Sequence, residues 1–306
     1  MSARSKPLAY FNGRFLAADQ AAVPLWDRGV VQGATVTEMI RTFRGVPFRL
    51  AEHLTRLRNS LSYLGVSLAE SDDTLSDIVT QLVASNRSPD SVDLGIVIFA
   101  TPGAIPMYAG DILHSSRPTV CVHTFPLPVA CWTSRYSCGQ SLIVPSIRQV
   151  SREVLNPQVK YRSRLHWYLA DREAQQIDPA AVALLQDEHG HLTETNSGNF
   201  LIVSHGRILT PRSCDTLSGI SQAFVQELAN ELSIPYEATD ITLQQALAAD
   251  EAFTTSTSYC VWPVTRINQQ SIGTGVPGPI TQALLQAWSR AVGFDITAPP
   301  AEDSPS

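Results

Sequence analysis

Thr193-Glu194-Thr195-Asn196-Ser197-Gly198-Asn199-Phe200-Leu201 closes one short apolar segment on a carboxylate and opens the next through small polar residues. Such a loop lets a ligand come close to the backbone, and a carboxylate beside a ligand nitrogen keeps that nitrogen protonated by charge pairing. The ordinary alternative is an acidic hairpin turn. Around this stretch, apolar segments at 180–185, 191–194, 200–203 and 207–209 are separated by Asp187-Glu188-His189-Gly190 and Ser204-His205-Gly206. That is the pattern of an antiparallel meander. Helical periodicity follows at 219–232 and 279–292, with strands expected at 251–255 and 261–264.

Upstream, Lys160 follows Pro157-Gln158-Val159 and precedes a helical stretch at 164–175, so it is expected at a strand-to-helix junction, where a side chain can project into a cleft. Lys6 and Lys160 are the only lysines, and arginine supplies every other basic position. One interior lysine in such a chain suggests a task arginine cannot do, namely acting as a neutral amine that forms an imine. A solvated surface lysine is the plainer alternative.

The N-terminal half reads as compact α+β. Tyr10-Phe11-Asn12-Gly13-Arg14-Phe15 places Asn-Gly between aromatic flanks, a two-residue hairpin signal. A second hairpin is expected from alternation over 35–43, a turn at Arg44-Gly45 and a return at 46–48. In 51–64, Leu54, Leu57, Leu61 and Leu64 recur at helical spacing, while His53 and Arg56 lie off that stripe and are expected to look elsewhere. Ser71-Asp72-Asp73 starts another helix, and 94–100 reads as a buried strand. Two prolines and no sustained period mark an interdomain connection. The expected division is a domain over 1–125, a linker over 126–139, a second domain over 140–296 and a disordered tail over 297–306.

Bulk properties exclude several classes. At 306 residues with 44% hydrophobic and 16% charged residues, the chain can bury a large core and is not of disordered type. A formal charge of −6 with no basic run offers no footprint for nucleic acid. No apolar run approaches the roughly 18 to 20 residues of a membrane span, and the first residues lack the apolar core of a signal peptide, so a cytoplasmic protein is expected. Five scattered cysteines without a CxxC pair read as free thiols. His189 and His191 flank Gly190 without a third ligand, so no metal site is expected.

Two segments suit a phosphate. Leu217-Ser218-Gly219-Ile220-Ser221 precedes a helix, so backbone N–H groups, the Ser221 hydroxyl and the helix dipole can meet a dianion. Thr254-Thr255-Ser256-Thr257-Ser258 is a hydroxyl-rich run that is costly to bury without partners. Arg56 can supply a fixed fork of donors, with an exposed helical arginine as the alternative.

Together these segments resemble the class IV aminotransferases, the fold-type IV pyridoxal-phosphate family that includes branched-chain and D-amino acid aminotransferases, (R)-selective amine transaminases and aminodeoxychorismate lyases. The resemblance runs from Tyr10-Phe11-Asn12-Gly13 and Asp27-Arg28-Gly29 through Glu52-His53-Leu54-Thr55-Arg56-Leu57 and Val159-Lys160 to Thr193–Phe200, Leu217–Ser221, Ser256-Thr257 and Pro263-Val264. It implies a two-domain α+β fold, like that of D-amino acid aminotransferase, with pyridoxal 5′-phosphate between the domains. It also implies a homodimer whose partner loop helps close each active site. By this similarity Lys160 matches the Schiff-base lysine, Glu194 the partner of the pyridine nitrogen and Arg56 the phosphate arginine. Asn196, Ser197, Leu217, Gly219, Ile220, Ser221, Ser256 and Thr257 fall at the other cofactor-binding positions. The implied reaction moves an amino group from an amino acid or amine to a 2-keto acid.

On the substrate side, alignment with the family's first hairpin points Thr37, Met39 and Arg41 toward the substrate, with Thr101, Ser258 and Tyr259 also at pocket positions. Ala100-Thr101-Pro102-Gly103 lacks the carboxylate-binding arginine of D-amino acid aminotransferases, which disfavours that subgroup. Arg41 is open to two readings, a carboxylate-binding residue or a strand arginine in a structural ion pair. Tyr259 and Trp262 either line the pocket or pack as aromatic core. A related lyase, which needs no acceptor, and a non-catalytic cofactor-binding protein stay open beside the aminotransferase.

Overall fold

The computed structural model describes residues 6–87, 93–110 and 117–298. The expected disordered tail lies, from residue 299 on, outside the described residues. The chain divides into two units, Met1–Leu127 with Val159–Ser163, and Pro128–Gln158 with Arg164–Ser306.

The first unit begins with a hairpin of β1 (Leu8–Phe11) and β2 (Arg14–Ala17). Asn12 and Gly13 both take positive φ, 47° and 89°, the geometry that matches a two-residue turn to strand twist. After the short α1 (Arg28–Val31), β3 (Val36–Phe43) turns through Arg44 and Gly45, again both at positive φ, into β4 (Val46–Pro47). The helices α2 (Leu50–Tyr63) and α3 (Asp72–Asn86) follow, and Ser71 caps α3 by accepting a bond from the Thr74 amide at 3.1 Å. β5 (Leu94–Thr101), a short α4 (Pro106–Ala109) and β6 (Thr119–Pro126) complete an antiparallel sheet in the order β2-β1-β6-β5-β3-β4. One face buries Val36, Ile40, Ile96, Ile98, Val120 and Val122 against Leu54, Leu57 and Leu61 of α2 and Leu75, Ile78 and Leu82 of α3. Each such side chain contributes about 1.5–3 kcal/mol by leaving water.

The segment expected as a linker is instead mostly helical: α5 (Val129–Cys138) belongs to the second unit and packs against a strand of its sheet. The prolines at 126 and 128 end β6 and precede the helix start, where a missing N–H costs nothing. The unit continues with β7 (Gln140–Ile143), α6 (Leu165–Ile177), β8 (Val182–Gln186), β9 (Leu192–Thr195), β10 (Asn199–Ser204) and β11 (Arg207–Thr210). It ends with α7 (Ile220–Glu231), β12 (Tyr236–Ala238), α8 (Leu243–Leu247), β13 (Glu251–Ser256), β14 (Cys260–Ile267), β15 (Gln270–Ser271) and α9 (Pro279–Val292).

The strands β8 to β11 pair antiparallel in sequence, as the meander pattern implies, but they are part of a mixed sheet. β7 lies parallel to both β8 and β14, and β9 pairs with β10, so β10, β13, β14, β7, β8 and β9 close into a ring. Leu142, Leu184, Leu192, Phe200, Ile202 and Val264 form one core of this unit. On its outside, Phe224 of α7 meets Trp288 of α9 edge to face at 4.7 Å.

Candidate active site

In the first unit the decisive residue is Glu38, wholly buried on the face of β3 that α2 covers. Its Oε1 accepts a bond from Arg56 Nε at 2.8 Å, and its Oε2 accepts one from Arg56 Nη2 at 2.7 Å. His53 Nδ1 stands 2.8 Å from the same Oε2. Residues 53 and 56 share a helix face, which explains how both reach one carboxylate. Burial by itself would raise the Glu38 carboxyl, but the charge and hydrogen bonds of Arg56, with help from His53, hold it at about 2. Burial pushes the His53 imidazole below its usual range against the pull of Glu38, so His53 is neutral. The hydrogen-bond network then assigns its proton to Nδ1, and the buried Nε2 has no hydrogen-bond partner among the described residues. The off-stripe face of the helix is therefore a buried ionic face, and Arg56 is not an exposed helical arginine.

Lys160 does not follow a strand; a turn at 157–158 leads into it. Its backbone is fixed on both sides, with its amide donating to Ser60 Oγ at 3.2 Å and its carbonyl accepting from the Thr37 amide at 2.9 Å. Tyr161 forms a bridge with Val36, and the Arg162 amide donates to the Thr35 carbonyl at 2.8 Å, so 160–162 borders the open edge of β3.

Thr37, Met39 and Arg41 alternate with Glu38 and Ile40 and share the other face of β3. Thr37 Oγ1 donates to the Ile98 carbonyl at 3.0 Å, and Thr101 Oγ1 accepts from the Gly103 amide at 3.0 Å. Arg41 is buried, with its guanidinium 4.1 Å from the centre of the Phe43 ring, Nη2 4.0 Å from Asp93 and Nε donating to the Thr42 carbonyl. This is the structural ion-pair arrangement.

The second unit gathers its polar residues around Asn199. The register sets Asn199 beside Glu194 on one side and Thr255 on the other. Its amide nitrogen donates to the Leu217 carbonyl at 2.8 Å and to Glu194 Oε2 at 3.4 Å. Glu194 also accepts from the Leu217 amide at 3.2 Å and, through Oε1, from Gln149 Nε2 at 3.3 Å. Gln149 in turn accepts from His166 Nε2 at 3.2 Å, with burial lowering the His166 imidazole so that it serves as a neutral donor. Gly219 caps α7 without a side-chain bond, and a Cβ added there would lie 2.0 Å from Asn199 Oδ1. The helix start therefore presents its amides and the buried Ser221 hydroxyl with no capping side chain in place. α7 packs against β13, whose last residue is Ser256, and Thr257 and Ser258 form the turn that follows, with the Ser258 amide donating to Ser256 Oγ at 3.4 Å.

Two assigned positions fall outside this arrangement. Asn196 donates its amide to Asp171 of α6, and Asp171 also takes the Ala183 amide, so Asn196 ties the loop to a helix. Tyr259 is buried and stacked on Trp262, 3.7 Å between ring centres, with its hydroxyl bonded to Thr254; it packs as aromatic core. Ser197 is exposed in the same loop as Asn196.

Glu38, Gln149, Asn199 and His166 carry much of this geometry, and their types and spacing alone gave no sign of it. Their partners are brought by pleat and helix packing from distant positions. The donor set fits a ligand with a phosphate and a ring nitrogen: an uncapped helix start for the dianion, and a carboxylate oriented by three donors for the nitrogen.

The family model for amino-transferase class IV matches residues 35–267. The D-alanine aminotransferase of Bacillus licheniformis is 31% identical over 286 residues, which cover 92% of this chain and 96% of that protein. The branched-chain aminotransferase of Thermoproteus uzoniensis, solved with norvaline, superposes with a TM-score of 0.82 at 25% identity over 94% of this chain and 96% of that one. A T.th. branched-chain amino acid aminotransferase, solved with pyridoxamine 5′-phosphate, gives 0.83 at 27% identity, covering 94% of each chain. The chain belongs to the class IV aminotransferases, a family of pyridoxal-phosphate-dependent transaminases.

Proposed function

We propose that this chain holds pyridoxal 5′-phosphate on Lys160 and moves an amino group between an amino acid and a 2-keto acid. The observation that carries this reading is the convergence on Asn199 of the Glu194 carboxylate and the uncapped start of α7. In it, Glu194 pairs with the pyridine nitrogen while Gln149, Asn199 and the Leu217 amide keep its two oxygens in place. Within the second unit, the amides of Ile220 and Ser221 and the hydroxyls of Ser221, Ser256 and Thr257 would take the phosphate; by family likeness Arg56 is assigned to the phosphate as well. The cofactor, when bound, supplies a ring that accepts the electrons released at the donor's α-carbon. Lys160 would hold the cofactor, and its Nζ, as a neutral amine, would take the proton from the donor's α-carbon as general base. Glu38 keeps Arg56 from swinging, since a doubly bonded guanidinium has one orientation. The homodimer and the cytoplasmic location expected from the sequence go with this reading; among the described residues no helix is long and apolar enough to cross a membrane.

The test is the visible spectrum of the purified protein with added pyridoxal 5′-phosphate during alternate additions of an amino acid and a 2-keto acid. A yellow band that the donor bleaches and the acceptor restores is the expected result. Bleaching without restoration would favour the lyase, and a protein that takes up no cofactor would refute the reading.

A further inference from the structure

A side-chain amide is reversible: turned about its last bond, it presents either its N–H groups or its carbonyl oxygen to the same neighbour. Gln149 stands between two partners that make this choice matter. Its Nε2 donates to Glu194 Oε1 at 3.3 Å, and its Oε1 accepts from His166 Nε2 at 3.2 Å. All three residues lie in the second unit, and all three hang from one strand. The Gln149 main-chain amide donates to the Gln186 carbonyl at the end of β8, Asp171 of α6 accepts the Ala183 amide, and β9, which ends in Glu194 and Thr195, pairs with β8. Trp167, next to His166, is buried with Ala170 and Ala174 against Ala183 and Leu185, which fixes the start of α6.

We propose that His166 is a positioning residue for the transamination: its Nε2–H sets the polarity of the Gln149 amide, so that an N–H and not a carbonyl oxygen faces the Glu194 carboxylate. The inference rests on the reading in which Glu194 pairs with the cofactor's ring nitrogen. A neutral imidazole has one N–H and one lone pair, so at Nε2 it either donates or accepts. Burial, then the charge of Arg164, pushes the His166 imidazole toward the neutral form, and its place as second residue of α6, at the positive end of the helix dipole, acts in the same direction. With the proton on Nε2, Gln149 turns its oxygen to the ring and its N–H to Glu194. With the proton on Nδ1, Nε2 would accept, the amide would reverse, and a carbonyl oxygen would stand against a carboxylate oxygen with no proton between them. The His166 tautomer and the Glu194 anion are thus coupled through Gln149.

The contacts to the other Glu194 oxygen follow the same logic. Oε2 accepts from the Leu217 main-chain amide, which cannot reverse, and from Asn199 Nδ2. The polarity of Asn199 is set in turn by the Leu217 carbonyl, which takes the same nitrogen at 2.8 Å. On each oxygen a side-chain amide is therefore oriented by a group one step further out: a main-chain carbonyl for Asn199, and an imidazole for Gln149. The first of these groups has a fixed polarity. The second does not, which makes His166 the adjustable end of the network.

The first experiment needs no cofactor. Protein labelled with nitrogen-15 in its seven histidines, held at about pH 8 where an imidazole is neutral, reports the tautomer of each ring, and His166 is the signal that His166→Gln removes. The wild type should carry a proton on His166 Nε2 that exchanges slowly enough to be seen, and Gln149→Leu should lose that protection. The second experiment uses cofactor-loaded enzyme. His166→Phe, which keeps a ring and loses the donor, should lower kcat about 3- to 10-fold, the scale of one hydrogen bond, with KM for the donor unchanged, because Glu194 acts on the cofactor ring and not on the incoming amine. His166→Gln, which restores an N–H, should retain most of the rate, and in a Gln149→Leu background His166→Phe should cost nothing more. An Nδ1–H tautomer in the wild type, an Nε2 proton indifferent to Gln149→Leu, or an unchanged kcat in His166→Phe would overturn the inference. So would an equal loss in both backgrounds, which marks a purely structural role. When the wild type takes up cofactor, these results sink only the role of His166. A wild type that takes up none sinks the reading of Glu194 and this inference with it.

Discussion

Replacing Glu38 with glutamine tests the buried ionic cluster directly. The amide keeps the size of the side chain but presents one oxygen where the carboxylate presents two. One of the two sites occupied by Arg56 Nε on Oε1, and by Arg56 Nη2 with His53 Nδ1 on Oε2, would then face an amide donor. It also leaves the guanidinium of Arg56, 9% exposed, without its counter-charge. A carboxyl moved from 4.5 to about 2 is worth roughly 3 kcal/mol of stability. Breaking one side of a buried pair costs about 3–5 kcal/mol, which agrees. The sign follows from the lowered value: the stabilisation is complete above pH 4.5 and disappears as pH falls toward about 2. Urea unfolding at pH 7, repeated in steps downward, should therefore show a variant weaker by about 3–5 kcal/mol, with the gap closing below pH 4.5. The same variant should lose affinity for pyridoxal 5′-phosphate more than for unphosphorylated pyridoxal. A gap under about 1 kcal/mol at neutral pH, the scale of an exposed pair, would refute the reasoning. So would a gap indifferent to pH.

Other outcomes follow from the same geometry. His53 sits below its usual 6.5, so the wild type should lose stability as pH falls below that value, because the unfolded imidazole takes a proton first; His53→Gln should flatten this slope in chemical unfolding. Lys160→Ala should leave the melting curve largely intact while abolishing covalent capture of the cofactor, and turnover at the wild-type rate would count against the assignment. Glu194→Gln should retain cofactor but slow kcat on the order of 100-fold, the scale of losing one electrostatic contact to developing charge. Gly219→Ala should push aside the Asn199 amide, since its Cβ would lie 2.0 Å from Oδ1, and so weaken cofactor binding in an equilibrium titration without unfolding the unit.

Local signals were legible in the sequence, and long-range ones were not. Asn12-Gly13 specified its hairpin because both residues tolerate positive φ, and the leucine stripe specified α2 because helical spacing is a local property. The helix α9 spans the expected Pro279–Val292. By contrast, α5 was hidden by flanking prolines that end its neighbours without breaking it. The parallel pairing of β7 with β8 and β14 depends on residues far apart in sequence. Glu38 reads as an ordinary strand glutamate until α2 brings His53 and Arg56 over it. Asn196 and Asn199 are three residues apart in one loop, yet only strand register decides that Asn199 meets Glu194 while Asn196 meets Asp171. The proposed roles of Arg56, Lys160 and Glu194 come from family likeness, and the residues that contact Arg56 and Glu194 emerge only through packing.

The most direct test of the central claim uses the chain's two lysines. The protein is incubated with pyridoxal 5′-phosphate, reduced with borohydride, digested and mapped by mass spectrometry. The account predicts one stable phosphopyridoxyl label, on the peptide carrying Lys160. No label, or label on Lys6 with Lys160 unmodified, would contradict it.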